Sequence, residues 1–188
     1  MSAIVLGGGD ALLIVDLQVD FLPGGSLGVP HGDLVIAPIR RLIAMYRARE
    51  LPIYASRDWH PDLHCSFADQ GGPWPPHCVQ GTNGAELNEA LDVERVDVIV
   101  DAGYRPDLEG YSGFEETNLA ALLREHDVDR VTVVGLATDY CVKETAADAL
   151  REGFSVAVDR AGIRGIDVQP GDSERALAEL RAAGAELT

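Results

Sequence analysis

Residues 11–15 form a wholly apolar run that stops at Asp16, and runs of the same kind recur along the sequence with helical patterns between them. A strand with no polar alternation must be covered on both faces, as in a parallel sheet packed between layers of helices. Segments 52–55, 96–100, 130–134 and 155–158 read as further strands, and 185–187 as a weaker sixth. The intervening segments carry helical spacing. In 33–49, Val35, Ile39, Leu42, Ile43 and Tyr46 share one face, and Pro38 is tolerated because it falls near the first turn. Thr117 is placed to cap a helix presenting Leu119, Leu122, Leu123 and His126. Cys141 opens another that stops at Gly153, and Asp172 caps a last one ending at Gly184. Strands and helices in alternation imply right-handed crossovers. The expected fold is therefore α/β, with three αβα layers around a mostly parallel central sheet of about six strands.

A length of 188 residues against the usual ~150 per domain favours one domain spanning 1–188. Fifteen basic and 31 acidic residues give a formal charge of −16, which disfavours nucleic acid and anionic membrane surfaces as partners. The three cysteines, Cys65, Cys78 and Cys141, show no disulfide framework, and the first residues carry no basic segment followed by a long apolar run. A cytoplasmic location is the natural expectation.

Ligands of parallel α/β sheets bind at the carboxyl ends of the strands. Asp16, the pair Asp58 and His60, the pair Ala102 and Gly103, and the segment 137–141 all fall there, so the fold should bring them to one edge. Asp16, at the rim of a low-dielectric core, is placed to act as a base, although a strand-end carboxylate often only bonds loop amides. In GLATDYCV the thiol of Cys141 falls at a helix N-terminus, where the dipole favours a thiolate and backbone amides can hold an oxyanion. Asp58 and His60 are two residues apart and share a side of an extended chain, with His77 available to complete a metal set. That donor set suits zinc, manganese or iron(II), and His64 is either a fourth ligand or an outer hydrogen-bond partner. The helix-poor segment 57–86 is too long to be an idle connection. Phe21, Trp74, Tyr111 and Phe114 lie near these motifs and would serve as core or as walls for a small planar substrate.

The segments DLQVDF, SRDWHPDLHCSF, WPPHCVQGTNGAEL, YSGFEETNL and GLATDYCVKETAADAL together resemble the nicotinamidase/pyrazinamidase branch of the isochorismatase-like cysteine hydrolases. The resemblance covers nearly the whole chain in order. It implies Cys141 as nucleophile, Asp16 as its base, an oxyanion hole of the Ala137 and Cys141 amides, and a non-proline cis peptide before Ala137. It also implies one divalent metal ion on Asp58, His60 and His77, with Phe21, Trp74 and Tyr111 around the ring of nicotinamide or pyrazinamide, and it leaves a homo-oligomer open.

One position departs from the pattern. Nine residues before Tyr111, where the family carries a catalytic lysine followed by glycine, stand Ala102 and Gly103, and the chain's single lysine is Lys143. The resemblance then implies a catalytically impaired Lys-to-Ala variant, most simply one made to silence the enzyme. The alternatives are a natural, non-catalytic, metal-dependent binder of pyridine carboxamides, or another isochorismatase-like amidohydrolase.

Overall fold

The computed structural model describes residues 6–91 and 95–188. Residues 1–5, where no secretion signal was expected, and 92–94 lie outside them. Six strands, β1 (Asp10–Val15), β2 (Ile53–Asp58), β3 (Val98–Ala102), β4 (Arg130–Leu136), β5 (Ser155–Arg164) and β6 (Glu186–Leu187), form one sheet in the order β3-β2-β1-β4-β5-β6. Every pairing is parallel. Both halves of the chain grow outward from β1, so the strand order reverses between β1 and β4. In open α/β sheets such a reversal, at the carboxyl edge, is where ligands bind.

The even and odd residues of β1 explain its lack of polar alternation. Leu12 and Ile14 pack with Ile39, Leu42, Ile43 and Tyr46 of α1 (Ile36–Arg47). Ala11, Leu13 and Val15 pack on the opposite side, with Leu119 and Leu123 of α2 (Leu119–Glu125), Ala146 and Ala149 of α3 (Lys143–Arg151), and Leu177 and Leu180 of α4 (Asp172–Ala182). All six residues of β1 are buried. One polar link crosses the first layer, where the buried Tyr46 hydroxyl donates to Thr132 Oγ1 of β4 at 2.8 Å.

Several boundaries differ from the sequence reading. Strands β2 and β3 begin later than expected and run on through Asp58 and Ala102, so both residues close their strands instead of following them. Helix α1 begins at Ile36, after a 3-10 turn over Gly32–Val35. Thr117 lies one residue before the N-cap, Asn118, and its Oγ1 accepts from the Leu119 amide at 3.3 Å. Gly171, in a left-handed conformation, takes the cap assigned to Asp172, the first helical residue of α4. Among the described residues, no helix is long and apolar enough to cross a membrane.

The register between β1 and β4 depends on Gly135, which faces Val15 with φ at +119°. A Cβ there would lie 1.9 Å from the Val15 carbonyl oxygen. Gly135→Ala therefore meets both a backbone clash and a conformation foreign to L-residues, and should cost about 3 kcal/mol or more of stability in urea denaturation.

Candidate active site

The chain leaves β1 at Asp16 with φ at +47°, a left-handed turn that is uncommon outside glycine. Its amide donates to the Ser56 carbonyl at 3.2 Å, and the Ser56 hydroxyl donates to Asp16 Oδ1 at 2.6 Å. The Cys141 thiol and the Asp16 carboxyl bring ligand atoms within 4.8 Å of each other. Cys141 arrives from β4 through a cis peptide between Leu136 and Ala137 and a π-helical turn over Thr138–Val142. The Ala137 carbonyl accepts from the amides of Tyr140 and Val142, each at 3.1 Å, which folds the turn back on itself. Asp139 fixes it from outside by accepting from the amides of Ile166 (2.9 Å) and Asp167 (2.8 Å).

The electrostatics of Cys141 correct the expectation of a dipole-stabilised thiolate. Burial raises its pKa well above the ordinary thiol value, and Asp16 and Asp58 add to the rise because a thiolate beside them would be repelled. Asp16 is itself pushed up to about 8, first by burial and then by Asp58, with the Ser56 hydrogen bond and the Cys141 thiol working against the shift. The neighbouring His60 also works against the shift, as the smallest of these influences. Lys143 pairs instead with Glu179 at 2.9 Å. Arg57 pairs with Asp101 and lies over the Trp59 ring.

Asp58, His60 and His77 are all buried and place one ligand atom each within 4.8 Å of one another. His60 Nε2 lies 3.2 Å and His77 Nε2 3.9 Å from Asp58 Oδ2. Each ring is oriented through its other nitrogen: His60 Nδ1 bonds the Gly103 carbonyl and His77 Nδ1 the Pro75 carbonyl, both at 2.8 Å. Backbone carbonyls that hold Nδ1–H leave Nε2 as the free donor atom of each imidazole, the arrangement a metal ligand needs. Two imidazoles and a carboxylate therefore fit a divalent transition metal by chemistry and by orientation. His64 does not join them. Its Nδ1 meets the Ser66 hydroxyl at 2.8 Å, its Nε2 meets the Leu108 carbonyl at 2.7 Å, and its ring stacks on His60 with centroids 4.0 Å apart. Burial and the neighbouring His60 lower its pKa to about 4, which keeps it neutral.

The aromatic residues separate into three groups. Phe21 is buried against the His77 ring at 5.7 Å. Trp74 donates its indole N–H to the Tyr111 hydroxyl at 2.9 Å, and both rings meet Tyr140, at 5.1 and 5.6 Å. Phe114 packs on Phe154 and belongs to the core. Tyr111 and Tyr140 also flank an open cleft of about 860 Å³ with Asp107, Glu109 and Glu144 in its walls, and none of Asp16, Asp58 and Cys141 lines it.

The expected convergence at one edge is therefore observed. Ala102 joins it through its carbonyl, which accepts from the Trp59 amide at 2.9 Å. Four residues absent from the sequence reading also shape the site: Gln18, Asp20, Ser56 and Tyr140. Gln18, fully buried, donates from Nε2 to the carbonyls of Asp58 (2.7 Å) and Ala85 (2.9 Å), while its Oε1 accepts from the Asp58 amide at 2.8 Å. Asp20 accepts from the amides of Cys78 (2.8 Å) and Ser26 (3.1 Å). The period of two linking positions 16, 18 and 20 in DLQVDF was the available signal.

The raised pKa of Asp16 carries a sign for stability. Its folded value of about 8 lies above the ordinary 3.8, so the folded state holds the proton more tightly, and that stabilisation is lost as pH rises through this window. Asp16→Asn has no such proton to lose. In chelator-treated protein, its stability by urea denaturation should gain on the wild type between about pH 5 and about pH 8; a constant difference would contradict the shift.

Residues 10–188 match the family model described as the isochorismatase domain. The chain is 42% identical to the nicotinamidase of Escherichia coli K12, over 94% of this chain and 93% of that protein. Among solved structures it is similar to the pyrazinamidase of Pyrococcus horikoshii in complex with zinc, with a TM-score of 0.88 and 46% identity over 96% of this chain and 98% of that one. It is also similar to PnC1 from L. infantum in complex with nicotinate, with a TM-score of 0.91 and 38% identity over 100% and 96% of the two chains. With the match extending through the whole sheet and the crevice at its edge, the chain belongs to the isochorismatase family.

Proposed function

We propose that this chain is a nicotinamidase-type amidohydrolase that converts nicotinamide, and pyrazinamide, to the carboxylic acid and ammonia. The observation that carries the reading is the buried juxtaposition of Asp16 and Cys141 with Asp58, which also meets His60 and His77. Relatives named for this activity match along most of the chain.

Asp16 takes the thiol proton as the Cys141 sulfur attacks the amide carbon, and the amides of Ala137 and Cys141 hold the developing oxyanion. The same proton passes from Asp16 to the departing nitrogen, which leaves as ammonia while the acyl group remains as a thioester on Sγ. Water then attacks the thioester, Asp16 again accepting a proton, and the acid departs as the thiol re-forms. Asp58, His60 and His77 would hold a divalent ion, which would supply Lewis-acid chemistry to the substrate ring. Phe21, Trp74 and Tyr111 enclose the ring.

Ala102 sets the rate. Both partners of the proton transfer are held in their neutral forms by burial and by Asp58, and an ammonium at position 102 would favour the carboxylate. A second reading, a binder of pyridine carboxamides without turnover, is favoured by this same alanine.

Ammonia release from nicotinamide at high protein concentration, beside Ala102→Lys and Cys141→Ala, separates the two. The expected order is slow release, release faster by about 10² to 10⁴ in the lysine variant, and none in the alanine variant. Equal rates with alanine and lysine would remove the role given to position 102, and release that survives Cys141→Ala would remove the thioester. Elemental analysis should find a divalent transition metal in protein purified without chelator and little of it in His60→Ala. Equal metal contents would remove the ligand assignment.

A further inference from the structure

Asp58 has a second set of neighbours. Its carboxylate, the Asp16 carboxyl and the Cys141 thiol each bring a ligand atom within 4.8 Å of the other two. The three residues are 4%, 2% and 5% exposed. Asp58 Oδ2 faces the two imidazoles, whereas Oδ1 is buried with no hydrogen-bond partner. An orphaned carboxylate oxygen in a dry site is costly unless a cation or a donor meets it. The basic side chains nearest in sequence are engaged elsewhere, Arg57 with Asp101 and Lys143 with Glu179.

We propose that Asp16, Asp58 and Cys141 form a second divalent-cation site, selective for a thiophilic ion such as zinc or cadmium, in which Asp58 bridges to the ion on His60 and His77. The bridge rests on the metal reading given above. Two carboxylate oxygens and one sulfur are a donor set for such ions, and the sulfur discriminates against magnesium and calcium. With metal–ligand bonds of roughly 2.0 to 2.3 Å, donors around a tetrahedral ion lie roughly 3.3 to 3.8 Å apart. Side-chain shifts on the order of 1 Å close the trio around an ion. Binding forms a metal–sulfur bond, and the displaced thiol and carboxyl protons leave to solvent. Occupation withdraws the nucleophile from chemistry, so the ion is an inhibitor.

Cadmium titration of protein carrying Cys65→Ser, which removes the half-buried thiol, tests this. The readouts are the sulfur-to-cadmium charge-transfer absorption and the metal content after dialysis. Two equivalents are expected, the second bringing the absorption band. Adding Cys141→Ala or Cys141→Ser should abolish the band and the second equivalent while circular dichroism stays unchanged. Asp16→Asn should weaken the second equivalent by at least the roughly 10-fold that loss of even an outer-sphere partner costs. A band that survives loss of Cys141, or a second equivalent indifferent to Asp16, overturns the site. A single equivalent that depends on His60 and not on Cys141 also overturns it, yet leaves the first metal set intact. An equivalent that depends on Cys141 but not on His60 supports the trio and removes the first set instead.

Discussion

The side-chain amide of Gln18 makes the connection on which the rest of the crevice depends. Buried completely, it bonds both the N–H and the C=O of Asp58 and reaches the carbonyl of Ala85. It acts as a short piece of strand made from a side chain, continuing the hydrogen bonding of β2 where the main chain of β1 has turned away. Two residues on, Asp20 does the same for the segment carrying His77, by holding the Cys78 amide. Gly84 packs so closely on Asp20 that a Cβ would lie 2.1 Å from Oδ2. The segment leaving β1 therefore presents the Asp16 carboxyl and, from 18 and 20, supports for the segments that carry Asp58 and His77, while Leu17 between them stays in the core. Leaving any of these buried polar groups unpaired would cost on the order of 1 to 3 kcal/mol.

These anchors hold acids in an environment that opposes their ionisation. Burial raises Asp16 and Cys141 together, and Asp58 raises both further. His60 responds oppositely: burial alone would lower its pKa, but the Asp58 carboxylate and its hydrogen bonds give a net rise, whereas His77 is lowered, mainly by burial. The crevice therefore favours bound cations. A divalent ion on the imidazole side, an ammonium from position 102, or an ion on the thiol side each answers the same uncompensated charge. On the proposed function, Ala102 matters for this reason, although its own side chain does no chemistry.

Much of this was legible in the sequence because burial on both faces leaves a plain mark. The apolar runs located all six strands, and strand-end placement nominated Asp16, Asp58, Ala102 and Cys141. Spacing paired Asp58 with His60, since alternation along an extended chain is a local property. It could not exclude His64, whose two ring nitrogens are taken by Ser66 and Leu108, the second 44 positions away. It also missed Gln18, whose partners lie 40 and 67 positions away. Nothing in the sequence marks Tyr140, although it adjoins Cys141, because its contacts with Trp74 and Tyr111 exist only after three loops meet.

The sequence by itself determined the α/β class, the strand-end edge on which chemistry is placed, and the identity of the residues delivered there, because each depends on hydrophobic period and local spacing. Only the tertiary structure decided the ionisation of those residues. A thiol facing water at the end of a helix is favoured as a thiolate. Packing instead buries the Cys141 thiol beside two carboxyl groups, and the lost hydration, followed by the repulsion a thiolate would meet there, raises its pKa. Charge state follows from the distances among groups brought together from β1, β2 and the turn after β4, and those distances are fixed only when the sheet closes around them.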